Sequence, residues 1–380
     1  MLQAADLAAL TRLRQTLHQA PELSGEEVKT ARFIATWLEE FSPDEIITGL
    51  GGHGVAAIYY SRRSGPTILI RCELDALPIV EISDRPYRSQ QSGTAHLCGH
   101  DGHMAIVCAV AMILHGNRPQ TGRVVLLFQP AEETGAGAEA VIADPDFARI
   151  QPDFAFAMHN VPGFNLGEVY LKSGALNCAS RGMRVRFEGR TSHASNPEDG
   201  VSPMTAMTVF MNGITAMSRG GKADDEFVLT TIVHAFLGEA AFGIAPGAAE
   251  VWTTLRTATE ERMRALVVAS EQLARTTAAD AGLSYFIRYQ DIFPTCHNDV
   301  DATQMVVGAA QAENIPCHLL DAPMRWSEDF GAFGRHCKAA MFFLGSGTKQ
   351  PQLHNPDFDF PDALIGPAAR IFIRIIKNVL

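Results

Sequence analysis

The sequence predicts an α/β protein built as two domains, one inserted into the other. Three observations carry this. The chain has 380 residues, more than one hydrophobic core usually serves. Short, wholly apolar runs at 67–72, 123–128, 154–158 and 340–344 alternate with helical stretches, the pattern of a mostly parallel sheet buried on both faces. Between about 180 and 292 the texture changes to half-exposed alternation, the pattern of a sheet with one solvated face.

The elements follow in order. Leu7, Leu10, Leu13 and Leu17 recur at helical spacing, as do Val28, Phe33, Ile34 and Leu38, so the first 40 or so residues read as helices. A strand at 67–72, an apolar helix at 104–114 and strands at 123–128 and 154–158 come next. In the middle, 183–188 reads as a strand, 201–217 as a helix, 227–235 and 249–255 as strands, 260–281 as a long amphipathic helix and 283–289 as a last strand. That β-α-β-β-α-β order is ferredoxin-like. A strand at 340–344 and a helix from about 361 complete the outer domain. The expected boundaries are 1–179 and 293–380 for the outer domain and 180–292 for the insert.

Composition narrows the function. Hydrophobic residues make up 47% and charged residues 19%, ordinary for a soluble enzyme. A formal net charge of -11 argues against nucleic acid and anionic membrane as partners. The start, Met1-Leu2-Gln3-Ala4-Ala5-Asp6, lacks a signal-peptide pattern, and no run reaches the ~18 apolar residues of a membrane span. Seven scattered cysteines fit reduced thiols, so a cytoplasmic location is expected. Apart from Cys98 they read as small buried hydrophobes. The Gly49-Leu50-Gly51-Gly52-His53-Gly54 stretch matches G-x-G-x-x-G, but a strand follows it instead of a helix, which rejects dinucleotide binding.

The chemistry gathers after the apolar strands. In an open α/β sheet, ligands bind outside the carboxyl ends of the strands. Asp75 follows 67–72, Glu132 and Glu133 follow 123–128, His159 follows 154–158, and His354 lies beyond the loop after 340–344. The cluster Cys98-Gly99-His100-Asp101-Gly102-His103 precedes a helix at the same edge. Cys98 and His100 are two apart, so an extended backbone would point both side chains one way. Thiolate, imidazole and carboxylate suit zinc and its neighbours. Cys98, His100, Glu133, His159 and His354 are too many for one tetrahedral ion. They suit two ions sharing a bridging ligand, ~3.5–4 Å apart. Glu132 is then free to act as general base on a water molecule. Asp75 is expected to orient a ligand histidine. His103 reads as a helical residue behind the ligands and His96 stays open. His18, His53, His115, His297 and His336 read as ordinary.

These residues resemble the aminoacylase/carboxypeptidase family of two-metal peptidases, and within it the amidohydrolase branch that includes hippurate and auxin-conjugate hydrolases. The matching segments are 71–78, 98–105, 128–133, 158–160, 327–330 and 354–360. The resemblance implies a metallo-exopeptidase-like catalytic domain with a lid that also mediates a homodimer. It implies Cys98 as the metal bridge, with manganese or zinc as the pair of ions. His193, in Gly189-Arg190-Thr191-Ser192-His193-Ala194, would steady the oxyanion. Arg256 would bind a substrate carboxylate, its alternative being a surface ion pair. The family often has an asparagine where Gly243 stands, and Gly-Gly where Thr191-Ser192 stand, which leaves the substrate open. The expected function is metal-dependent hydrolysis of an N-acyl amino acid, with a dipeptidase or carboxypeptidase as the alternative. An idle binding subunit is a third reading, against which an intact Glu132 and five intact ligands argue.

Overall fold

The apolar runs form the centre of an eight-stranded sheet in a computed structural model that describes residues 2–380. Four parallel strands lie side by side in the order Arg123–Gln129, Thr67–Glu73, Phe154–Val161 and Lys338–Gly345. Every residue of Thr67–Glu73 is buried, as expected where helices cover both faces. Gly54–Tyr60 and Glu45–Leu50 extend one side as an antiparallel pair. The G-x-G-x-x-G stretch is the turn of that hairpin, so the structure gives it no helix to follow. Val169–Leu171 and Cys317–Leu319 extend the other side. Helices Ala4–Gln19, His100–Gly116, Val300–Ala312 and Ile365–Val379 pack with the sheet into one large core.

The chain divides into two compact units. The first holds the residues up to Leu176, then Cys296–Asp321 and Asp329–Leu380; the second holds Asn177–Thr295 and Ala322–Glu328. The second unit is a four-stranded antiparallel sheet in the order Val228–Leu237, Ala248–Thr257, Ala179–Glu188, Ser284–Phe293. Helices Met204–Ala216 and Glu260–Asp280 cover one face through Phe187, Phe210, Ile214, Val251, Leu255 and Met263. Burial alternates along Ala179–Glu188, which is why this strand was legible as half-exposed.

The segment Ala322–Glu328 differs from its expected place in the outer domain. Cys178 N–H donates to Met324 O at 3.0 Å, and Asn177 Nδ2 donates to Trp326 O at 3.3 Å. These are pairings between residues far apart in sequence, which no local pattern announces.

Candidate metal centre and catalytic site

The carboxyl ends of the central strands converge as the strand order requires. Glu73 and Gln129 are register partners, and Phe343 lies opposite His159. His159, which follows the apolar run 154–158, is still part of the strand. It lies inside the strand Phe154–Val161, which runs on through polar side chains because its edge is still paired. Its Nδ1 bonds the Asn160 carbonyl at 2.8 Å, which turns Nε2 to within 3.4 Å of Cys98 Sγ.

Cys98 and His100 come together by a different route from the extended one expected. Gly99 is in the left-handed region at φ 97° and His100 is already the first residue of the helix His100–Gly116. Only glycine suits this turn, since a Cβ would also lie 2.3 Å from Asn160 Oδ1. The donor atoms of Cys98, His100 and His159 nonetheless lie within 4.8 Å of one another. So do those of Cys98, Glu133 and His354, and those of His100, Glu132 and Glu133. All five residues expected to ligate, together with Glu132, therefore share one small volume.

Backbone strain places two of these groups. Ala131, just before the paired glutamates, has φ 52°, and His354 has φ 67°. Left-handed non-glycine residues are uncommon and are held by their surroundings. Ala131 N–H donates to Glu27 Oε1 at 2.8 Å, and His354 N–H donates to Leu97 O at 2.8 Å. Leu353 and Phe358 pack with Leu77, Ala95, Leu97 and Cys98, so the apolar contacts carry His354 back to the cluster.

The geometry suits a metal. Two donors on one tetrahedral ion stand roughly 3.3–3.8 Å apart, given bonds of about 2.0–2.3 Å. Cys98 Sγ to His159 Nε2 is 3.4 Å, and His354 Nε2 to Glu133 Oε2 is 3.8 Å. His100 Nδ1 bonds the Asp75 carbonyl at 2.9 Å. Its Nε2 is buried and makes no hydrogen bond, 3.9 Å from both Glu132 and Glu133 oxygens. A buried ring nitrogen with no hydrogen-bond partner beside two carboxylates is a place where a cation would be held.

Electrostatics agrees. Burial, then Glu133, Glu132 and Glu73, push the Cys98 thiol well above its usual range. Burial opposes charge on His100, but the Asp75 bond and the Glu73 and Glu133 carboxylates raise it to about 10. Burial and His103 hold His159 well below its usual value, and burial and His100 lower His354. The pocket carries excess negative charge, which a bound cation would offset while displacing the thiol proton.

Asp75 does orient His100, though through its backbone carbonyl first, with its carboxylate at 3.5 Å. The carboxylate also accepts from Ser24 Oγ at 2.6 Å and from Glu133 N–H at 3.0 Å. Burial opposes its charge, yet these partners keep its pKa lowered. Behind the donors runs a chain of buried polar groups. His103 bonds Glu73 Oε2 through Nδ1 and Asn160 Oδ1 through Nε2, each at 2.6 Å. Arg71 pairs with Glu73 and with Asp329 at 2.5 Å, and Gln129 bonds both Arg71 and Asp329. The sequence flagged the segments holding Arg71, Glu73, Asn160 and Asp329, but not these roles.

His18 corrects an expectation. It is fully buried, and Nδ1 lies 2.8 Å from Asp101 Oδ2. Burial opposes its charge, but Asp101 and Glu81 raise it to about 9. Arg14, also fully buried, bonds Asp359 at 2.8 Å and Asp362 at 2.9 Å. Of these partners only Asp101 lies in the first turn of His100–Gly116, held by His18 and, at 3.5 Å, by Arg14. His96 is buried, and burial holds it near 4.

The remaining two candidates belong to the second unit. His193 lies on the two-residue strand Ser192–His193, paired with Ile244–Ala245. Its ring is exposed, and Ser195 N–H donates to Nδ1 at 3.1 Å. Nδ1 also lies 2.7 Å from Ser195 Oγ, which in turn donates to Asn196 Oδ1 at 2.7 Å. Arg256 is half-buried on Ala248–Thr257. Its Nη1 donates to Arg325 O at 2.6 Å and to Ser327 Oγ at 2.7 Å. Among the described residues it has no carboxylate within salt-bridge distance, so the surface ion pair considered for it is absent.

The chain is similar to known proteins along its whole length. A model of Peptidase family M20/M25/M40 matches residues 69–378. Hippurate hydrolase of Campylobacter jejuni is 29% identical over 372 residues, covering 97% of this chain and 96% of that protein. N-acetylcysteine deacetylase of Bacillus subtilis is 30% identical, covering 99% of both. A dinuclear metal-binding M20 peptidase of Bacillus subtilis superposes with a TM-score of 0.83 at 28% identity, covering 100% of this chain and 99% of that one.

Proposed function

The chain belongs to Peptidase family M20/M25/M40 and is a hydrolase of amide bonds; from that premise we propose that it cleaves N-acyl amino acids. The products are a carboxylic acid and a free amino acid. The observation that carries this reading is the pair Glu132-Glu133, which contributes to two of the three overlapping donor clusters. The hydrolases and deacetylases it matches along its whole length support the substrate class.

Cys98, His100, Glu133, His159 and His354 would hold two divalent ions, with Cys98 shared. Mixed sulfur, nitrogen and oxygen donors suit manganese or zinc. Bound there, the ions would polarise the substrate carbonyl and make water acidic enough to be deprotonated near neutral pH. Glu132, 5% exposed, takes the proton from the attacking water and passes it to the departing amine. Its burial limits competing water around it. His193 donates its Nε2 proton in a hydrogen bond to the oxygen on which negative charge develops. Arg256, with no carboxylate of its own, binds the free carboxylate of the amino acid.

The second unit also bears on assembly. Val228–Leu237 and Ser284–Phe293 are edge strands, and Val233, Phe286 and Ile292 on them are exposed. Unpaired edges with apolar side chains invite a partner, which supports a homodimer through this unit. Light scattering at micromolar concentration tests that, and a strict monomer refutes it.

The test of function is a hydrolysis screen over acetyl, benzoyl and indole-acetyl amino acids and over dipeptides. It follows chelation and reloading with Mn²⁺ or Zn²⁺. Acyl amino acids should be cleaved only by the reloaded protein. A preference for dipeptides would move the reading to a dipeptidase.

A further inference from the structure

Residues 238–247 join Val228–Leu237 to Ala248–Thr257, and the tip is unusual. Ala240, Ala241, Phe242, Gly243 and Ile244 are five consecutive exposed apolar residues. Phe242 is 107% exposed and Ile244 48%. Exposed apolar runs of this length cost solubility unless they serve a contact. The tip is nevertheless built firmly. Gly238 N–H donates to Ala248 O at 2.8 Å and closes the base. Gly238 has φ 58°, and a Cβ there would lie 2.6 Å from Pro246 Cβ, so the turn demands glycine.

The second observation is what the tip is fastened to. Ile244 is the register partner of His193, and Ala194 N–H donates to Gly243 O at 3.0 Å. Directly opposed residues on an antiparallel pair project to one face with Cα atoms about 4.5–5.5 Å apart. His193 and Ile244 therefore share a face, and Phe242 lies in the turn two residues before Ile244. One hairpin presents an imidazole beside an aliphatic side chain and an uncovered aromatic ring. An N-acyl amino acid offers the matching sequence of groups, a carbonyl oxygen next to an acyl chain.

We propose that Phe242 is a specificity-determining residue, whose ring covers an apolar or aromatic acyl group when His193 meets the adjoining carbonyl. The inference rests on the N-acyl amino acid reading above. It gives this chain a preference for bulky acyl groups that the metal donors cannot impose, since they see only the carbonyl. Ile244 contributes the smaller part of the same surface.

The test uses the full-length metal-loaded protein with the N-acetyl and N-benzoyl derivatives of one amino acid. Wild type should favour the benzoyl compound. Phe242→Ala should lower kcat/KM for the benzoyl compound by about tenfold or more, the scale of burying an aromatic side chain. It should leave the acetyl compound within about twofold, and Phe242→Tyr should restore the benzoyl rate. The ring touches nothing in the protein, so the melting temperature should not change. Equal loss on both compounds, or loss on neither, overturns the proposal while leaving the hydrolase reading intact. So does a change of oligomeric state in Phe242→Ala, because the ring would then be packing on a second copy. A wild type that cleaves no acyl amino acid overturns the proposal together with the reading beneath it.

Discussion

The donor cluster and the His193 hairpin are held in opposite ways. In the cluster nearly every group has a second bond fixing it. His100 leans on the Asp75 carbonyl, His159 on the Asn160 carbonyl, the Glu133 backbone on the Asp75 carboxylate, and the His354 backbone on Leu97. Cys98, His100, His159 and Glu132 are buried, Glu133 is half-buried and His354 is exposed. On the hairpin, His193 is exposed and tied only to its near neighbours, and the tip beside it is bare. The difference teaches where each kind of mutation should register. Changes in the first region should alter metal content or the proton transfer itself. Changes in the second should alter how substrate is chosen and held, at constant metal content.

Glu132→Gln gives the sharpest challenge to that division, because it lies within the first region but is assigned no metal. We expect kcat to fall by ~10²–10⁴-fold, the usual worth of a general base, with full metal occupancy by elemental analysis. Loss of metal would merge the roles of Glu132 and Glu133.

Arg256→Ala comes next. It should lower kcat/KM for N-acyl amino acids by about tenfold to a few hundredfold, since charge-assisted hydrogen bonds contribute ~1.5–3 kcal/mol each. The C-terminal amide of the same compound should be nearly unaffected, and metal content should hold. A wild type indifferent to amide or acid would leave Arg256 with only its bonds to Arg325 and Ser327.

Asn160→Ala probes the support behind the donors. Asn160 caps His103 and fills the space against Gly99, so the variant should bind metal about 10–100-fold more weakly. Calorimetric titration of the stripped protein reads this directly. Unchanged affinity would show that the cluster holds itself.

The smallest effect concerns stability alone. His18 is raised from 6.5 to about 9 by its partners after burial is overcome. A raised pKa contributes stability that is fully present below about pH 6.5 and lost as pH rises through about 9. Asp101 is lowered against burial by His18 and Arg14, so its share is lost only in acid. His18→Gln should therefore melt several degrees below wild type at pH 6, and the gap should close towards pH 10. A gap that is flat with pH would mean that His18 is neutral in the folded protein.

What the sequence made legible was whatever is local. The apolar runs 67–72 and 123–128 carry the strand signal in adjacent residues, and Glu132-Glu133 and Cys98 to His103 are short clusters. The β-α-β-β-α-β order was readable because alternation survives wherever one sheet face is solvated. The geometry between elements was not. Gly99 looked like a spacer in an extended pair, whereas it makes a left-handed turn beside Asn160, which leaves no room for a side chain there. His18 looked ordinary because Asp101 and Glu81 reach it only in the folded chain. Arg71, Glu73 and Asp329 lie in flagged segments, but their mutual pairing depends on strand order, which periodicity does not encode.

The short segment Ala322–Glu328 has a consequence for modular exchange. It supplies both hydrogen-bond acceptors of Arg256, Arg325 O and Ser327 Oγ, and it pairs with the entry of the second unit at Asn177 and Cys178. A chimera made by transplanting one continuous stretch from a relative would bring the guanidinium without the acceptors that hold it. Recombination at this unit must therefore carry two pieces of chain together, and a graft of 177–295 alone should fold with a misdirected Arg256.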